Sequence, residues 1–158
     1  MVFNFVIFLA SIFVNSYHAP QAEGGVLLMQ LSGSEVDEGN YKQTAYLNFE
    51  KYDDKCKLRR DGTVKLNKKT RTATRPLVPG KPVMVFCYYS DQRTQYGRSV
   101  GQRITFYPKE GTDYIIAMDV EGGKVDFGVF EKAQDGSKGS EVAVLRGNVT
   151  IECDQAGG

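Results

Sequence analysis

Residues 79–89 read PGKPVMVFCYY, and residues 113–131 read DYIIAMDVEGGKVDFGVFE. In the first stretch Pro79-Gly80 is a turn, because proline presets φ and glycine accepts a positive one. The run Pro82–Tyr89 behind it is apolar or aromatic on both sides, which predicts a central strand covered on two faces. In the second stretch, Asp113–Val120 and Lys124–Glu131 flank Gly122-Gly123, the pattern of a β-hairpin with a tight turn.

The same period of two extends outward from these stretches. Val26–Leu31 is a short apolar run, and Thr44–Glu50 alternates with Ala45, Leu47 and Phe49 on one side. Cys56–Arg60 and Thr63–Leu66 flank Asp61-Gly62, a second two-residue hairpin signal. Arg71–Arg75, Gln102–Tyr107, Glu141–Leu145 and Asn148–Cys153 read as further strands. Ser32–Asn40, Ser90–Gly101 and Ala133–Ser140 are polar and read as loops, and Pro108–Thr112 as a turn. No amphipathic helix stands out. Many short strands at near-regular spacing predict an all-β fold, an antiparallel β-sandwich of Ig-like type, with an open barrel as the alternative. The chain's 158 residues suit one domain. An apolar share of 41% and a charged share of 25% are those of a folded protein.

The N-terminus differs in kind. Val2–Val14 is broken only by Asn4 and Ser11, and no charge occurs before Glu23. The run is short of the roughly 20 residues a membrane-spanning helix needs. It fits the apolar region of a secretory signal peptide, although no Lys or Arg precedes it. Residues 1–22 are therefore read as a signal peptide and 23–158 as the β-sandwich. A buried N-terminal strand or helix is the alternative. Export would place the protein in a periplasm, a cell envelope or the extracellular space.

Cys56, Cys87 and Cys153 are far apart, with no paired spacing for zinc. An oxidising compartment would join two of them and leave one thiol. Cys56–Cys87 is the pairing expected, because it closes the shorter loop between two segments read as strands. Three buried thiols are the alternative.

The rhythm Val78-Pro79-Gly80-Lys81-Pro82, then Phe106, Pro108, Gly111 and Tyr114, resembles the small β-sandwich modules of bacterial envelope proteins, including PEGA-like domains. The resemblance covers about a third of the chain beyond residue 22 and rests on turn chemistry. It implies envelope localisation and a binding or structural role, and it transfers no catalytic residue. Independently of any family, Gly111 suits a turn with positive φ, and Tyr114 suits a buried ring whose hydroxyl bonds nearby backbone.

The only histidine is His18, inside the leader. Without it, histidine-dependent nucleophilic catalysis and the commonest zinc ligand are missing. No phosphate-cradling loop is present, and no cofactor is expected. Asp53, Asp54 and Asp113 are the carboxylates a small hydrolase would need, but none has an assignable partner.

Charge is more informative. Residues 55–103 hold thirteen basic residues against Asp61 and Asp91, a surplus of eleven; residues 23–54 and 105–158 each carry a net −5. Either the fold pairs this basic middle with its acidic flanks, or it makes a basic face that attracts an anion. Lys68, Lys69, Arg71 and Arg75 are the contacts expected for such a face. Tyr88, Tyr89 and Tyr96 lie among these charges and suit stacking on sugars or bases.

The leading expectation is a non-enzymatic binding or scaffold module of the bacterial cell envelope or periplasm. Its partner would be another envelope protein, met by loops 90–101 and 133–140 at one end of the sandwich. The second is a secreted protein gripping an anionic lipid, glycan or acidic partner through its basic face. The third is a carboxylate hydrolase. Neither a nucleic-acid partner nor an integral membrane protein is expected.

Overall fold

The computed structural model describes residues 24–36, 42–93 and 97–148. Ten strands are formed: β1 (Val26–Ser32), β2 (Gln43–Tyr52), β3 (Leu58–Asn67), β4 (Thr72–Pro76), β5 (Val83–Asp91), β6 (Arg98–Phe106), β7 (Tyr114–Glu121), β8 (Lys124–Lys132), β9 (Lys138–Glu141) and β10 (Leu145–Arg146). They make two five-stranded sheets, ordered β4-β1-β7-β8-β9 and β10-β6-β5-β2-β3. All pairings are antiparallel except β1 with β7. The chain is an all-β sandwich. Among the described residues no helix is long and apolar enough to cross a membrane.

The period of two decides what each strand buries. Leu27, Met29 and Leu31 of β1, with Ile116, Met118 and Val120 of β7, face Ala45, Leu47 and Phe49 of β2 and Val85, Cys87 and Tyr89 of β5. Ile104 and Phe106 of β6 complete this core. Strand β5 is the middle strand of its sheet, as its apolar run predicts, but only one of its faces is covered: Phe86 and Tyr88 are half-buried on the other, because the sandwich has no third layer over it. The expected physical details at the β6–β7 turn also hold. Gly111 has φ +65°, and Tyr114 is buried with its hydroxyl accepting from Lys109 N at 2.8 Å.

Three expectations are corrected. Asp61-Gly62 does not turn a hairpin. The chain has already reversed at Asp53–Lys57, where the Asp53 carboxylate accepts from the backbone N–H groups of Lys55 and Lys57, each at 2.9 Å. Strand β3 therefore runs straight through, and Asp61 is the extra residue of a β-bulge opposite Phe49 and Glu50. Gly62, at φ +127°, supplies the conformation the bulge requires.

The expected Cys56–Cys87 bond does not form. Cys87 is a free thiol with no exposed surface, on the core side of β5. Cys56 sits in the exposed β2–β3 turn and is disulfide-bonded. A residue in the packed middle of the sandwich does not meet one in a surface turn. The remaining cysteine, Cys153, lies outside the described residues, as do the leader 1–22 and Tyr96.

The loops 90–101 and 133–140 also do not share an end. Residue Arg98 reaches the β7–β8 turn by donating to the Gly123 carbonyl. The turn after Lys132 lies at the other end, where Lys132 N bonds the Asp113 carbonyl at the start of β7. Much of each expected loop is strand, because β5 runs to Asp91, β6 starts at Arg98 and β9 pairs with β8.

Candidate functional site

Folding uses up much of the basic surplus. Asp61, freed by the bulge, leans to the open edge of the sandwich and meets Arg75 of the facing sheet, with Lys51 at 2.5 Å. Lys51, then Arg75, holds the Asp61 carboxyl below the usual carboxylate range. The Arg75 guanidinium also lies 4.3 Å from the centre of the Phe49 ring. Arg103 makes a bidentate fork with Glu50, at 2.9 and 3.0 Å. Arg93 is forked on Asp91, and Arg98 reaches Glu35 at 3.4 Å. Arg59 is held by Asp53 at 2.9 Å.

The four expected contacts are not brought together. Lys68 and Lys69 are exposed in the β3–β4 turn, where the Asn67 side chain accepts from the backbone N–H of Lys69 and Thr70. Arg71 is half-buried beside that turn, and its carbonyl accepts from Leu31 N at 2.8 Å. Arg75 stands at the far end of β4, tied to Asp61. It borders a cleft of about 230 Å³ that includes Leu27, Phe49, Leu77, Val78 and Lys81.

Among the described residues, the cations with no carboxylate in ion-pair range include four along strand β3 and the turn before it, Lys55, Lys57, Arg60 and Lys65, while Lys42, Lys81, Lys124 and Arg146 stand singly elsewhere. All four are exposed. Strand β3 is the edge of its sheet.

Beside this edge lies the feature that sequence reasoning missed. The β-register places Lys65, Tyr46, Tyr88 and Gly101 in one row across the solvent face of the sheet. The next row is Thr63, Asn48, Phe86 and Arg103. Tyr46, Phe86 and Tyr88 are half-buried. Their ring centres are 6.4 Å apart from Tyr46 to Tyr88 and 6.4 Å from Phe86 to Tyr88. The Lys65 ammonium lies 5.7 Å from the Tyr46 ring centre, a cation–π distance.

The rings lie low because Gly101 leaves room for them. A Cβ there would come within 2.7 Å of the Phe86 ring and 3.4 Å of Tyr88. Phe86 and Tyr88 lie against Gly101, and all three rings keep part of their surface exposed. Around the strip stand neutral hydroxyl and amide groups: Thr44, Ser90 and Ser99 in the row above, Thr63 and Asn48 in the row below. Thr63 donates to the Asn48 side chain at 2.8 Å.

Of the three tyrosines expected to stack, Tyr88 is in this strip. Tyr89 points the other way, fully buried, with its hydroxyl accepting from Gln43 at 2.9 Å. The signal available in the sequence was the alternation of Phe86 and Tyr88 against Val85, Cys87 and Tyr89 within one apolar run.

Among the described residues no three His, Cys, Asp or Glu side chains cluster as a metal site. The Asp53 and Asp113 carboxylates accept backbone N–H bonds, Asp113 from Val26 N at 2.7 Å. Comparisons of this chain with protein-family models, with curated proteins and with solved structures find no match.

Proposed function

We propose that this chain is an exported, non-enzymatic binding module of the bacterial cell envelope or periplasm, which holds an anionic partner against the β3 side of its sandwich. The observation that carries this reading is the sorting of charge. Arg59, Arg75, Arg93, Arg98 and Arg103 are neutralised by carboxylates within the fold. Lys55, Lys57, Arg60 and Lys65 are left along one exposed edge. Lys68 and Lys69 are exposed in the turn that follows β3, and Arg71 is half-buried beside it. A row of like charges held by a rigid sheet raises the local concentration of an anion. The apolar run Val2–Val14 and the disulfide at Cys56 support export to an oxidising compartment. The rhythm shared with PEGA-like modules supports the envelope.

The test is retention on an immobilised polyanion and on anionic vesicles across a salt series. Retention is expected at low salt and should fall steeply by about 0.15 M, where screening sets in within ~8 Å. A Lys55→Glu, Lys57→Glu, Arg60→Glu variant should lose it, and so should Lys68→Glu, Lys69→Glu, Arg71→Glu. Retention that ignores both salt and charge reversal would refute the reading.

A further inference from the structure

We infer that the anion is an acidic polysaccharide, and that its sugar rings lie on the strip Tyr46–Tyr88–Phe86 while its charges meet Lys65 and the β3 edge. This rests on the anion-binding reading above and adds the chemistry of the ligand. Three observations lead to it.

First, the strip is continuous, with its rings tilted by 37° and 24° to one another. Two 6.4 Å steps link three rings across two adjacent strands, and Gly101 seats them low. Such rings offer open faces to a planar or ring-shaped apolar surface.

Second, the surroundings of the rings are mostly neutral. Thr44, Asn48, Thr63 and Ser99 offer hydroxyl and amide groups on the same face. Those are the donors and acceptors that sugar hydroxyls need. Here Lys65 is the cation directly at the rings without a carboxylate partner, and Arg103 beside Phe86 is neutralised by Glu50. Hydroxyl and amide groups flanking the rings can pair with sugar hydroxyls, which favours the glycan.

Third, the other sheet supplies an internal comparison. Gly128 of β8 also has an aromatic ring laid over it, that of Phe86's counterpart Phe130, 2.7 Å from a Cβ placed there. One ring is enough to cover a strand glycine, and Lys138 covers that ring in turn at 5.2 Å. On the β2–β5 face, Phe86 and Tyr88 cover Gly101 and Tyr46 extends the aromatic row beyond it.

Four polymers separate the contributions by fluorescence or calorimetric titration: alginate (acidic sugar rings), poly-L-glutamate (charge without rings), dextran (sugar rings without charge) and oligothymidylate. The chain has nine tyrosines and no tryptophan, so the part of the emission change lost in Tyr46→Ala and Tyr88→Ala reports on the strip. Alginate is expected to bind about tenfold or more tighter than poly-L-glutamate, with dextran and oligothymidylate weaker than alginate. Tyr88→Ala and Tyr46→Ala should each weaken alginate about tenfold, the scale of one lost stacking contact. Neither should move poly-L-glutamate. Gly101→Ala, which displaces Phe86 without removing any ring, should weaken alginate as well, and unchanged poly-L-glutamate binding in each variant guards against mere unfolding.

Alginate bound no better than poly-L-glutamate, or unaffected by the tyrosine variants, would overturn this inference and leave the charge reading standing. Tighter binding of oligothymidylate would replace the glycan by a nucleic acid. No binding of any polyanion would remove the underlying reading and this inference together.

Discussion

Cys87 makes a quantitative test of the packing between the sheets. Its thiol faces the core and has no exposed surface. Burial pushes its pKa from an ordinary 9 up to about 12, while the Arg146 charge pulls weakly the other way. The unfolded chain ionises this thiol near pH 9, and the folded chain does not. The unfolded state therefore binds fewer protons above pH 9, and stability falls as pH rises from there toward 12. At pH 10 the difference is roughly 1–2 kcal/mol for this group alone, approaching about 4 kcal/mol by pH 12. With a urea slope of about 1–3 kcal/mol per molar, the midpoint should fall by roughly 0.5–1 M between pH 7 and pH 10. Tyrosines and lysines also titrate in this range, so the measured quantity is the difference between the native chain and Cys87→Ala. Both carry the same other groups, and the alanine should keep its midpoint better by that amount. Acid-quenched samples, checked by mass spectrometry, guard against thiol exchange with the Cys56 disulfide. Equal losses in the two proteins would refute a desolvated thiol and with it the side of β5 assigned to the core.

Other outcomes follow from particular contacts. Tyr114→Phe removes the acceptor for Lys109 N and should cost about 1 kcal/mol, a fall of a few degrees in Tm. In a double-mutant cycle, Asp61→Asn and Arg75→Gln should couple by about 0.5–1 kcal/mol, since both groups are partly exposed, and by less in high salt. The Asp61 carboxyl is held below its ordinary range, so its stabilisation is present above the unfolded value near 4 and is lost as pH falls through the folded one. Acid titration should accordingly destabilise the native chain more than Asp61→Asn. Alkylation of the intact, non-reduced native chain should label no cysteine at pH 8, and denaturant should expose one reactive thiol per chain, that of Cys87.

How much of this was legible depended on whether the deciding partner was near in sequence. The β7–β8 hairpin is local: Gly122-Gly123 joins two alternating runs, and pairing follows. The central place of β5 was legible because Pro82–Tyr89 is apolar on both sides. Asp61-Gly62 was misread because the same dipeptide serves a two-residue turn and a bulge. Which one forms depends on whether a partner strand runs past it, and β2 does, through Tyr52. The disulfide was misread for a related reason. Loop length favoured Cys87, but strand phase turns Cys87 inward beside Val85 and Tyr89. The aromatic strip was out of reach because Tyr46 and Tyr88 meet only through the β2–β5 register. Without that register, Phe86 and Tyr88 look like more core.

The same register explains why the basic edge and the aromatic strip deserve different weight. Charged side chains on an edge strand have a structural purpose of their own, because they discourage a second sheet from pairing there. Strand β3 is such an edge, so Lys65 and Arg60 would belong on it in a protein that bound nothing. Tyr46 and Tyr88 add roughly 0.2–1 kcal/mol as a directly opposed pair, but they guard no edge. They stand on the solvent face of interior strands, where pairing is already satisfied and a polar residue would serve. Gly101 is covered mainly by Phe86, with Tyr88 beside it, and Gly128 by Phe130. Charge reversal on β3 therefore tests attraction, whereas loss of Tyr46 and Tyr88 tests recognition. A ligand that feels the first and ignores the second is held only by charge.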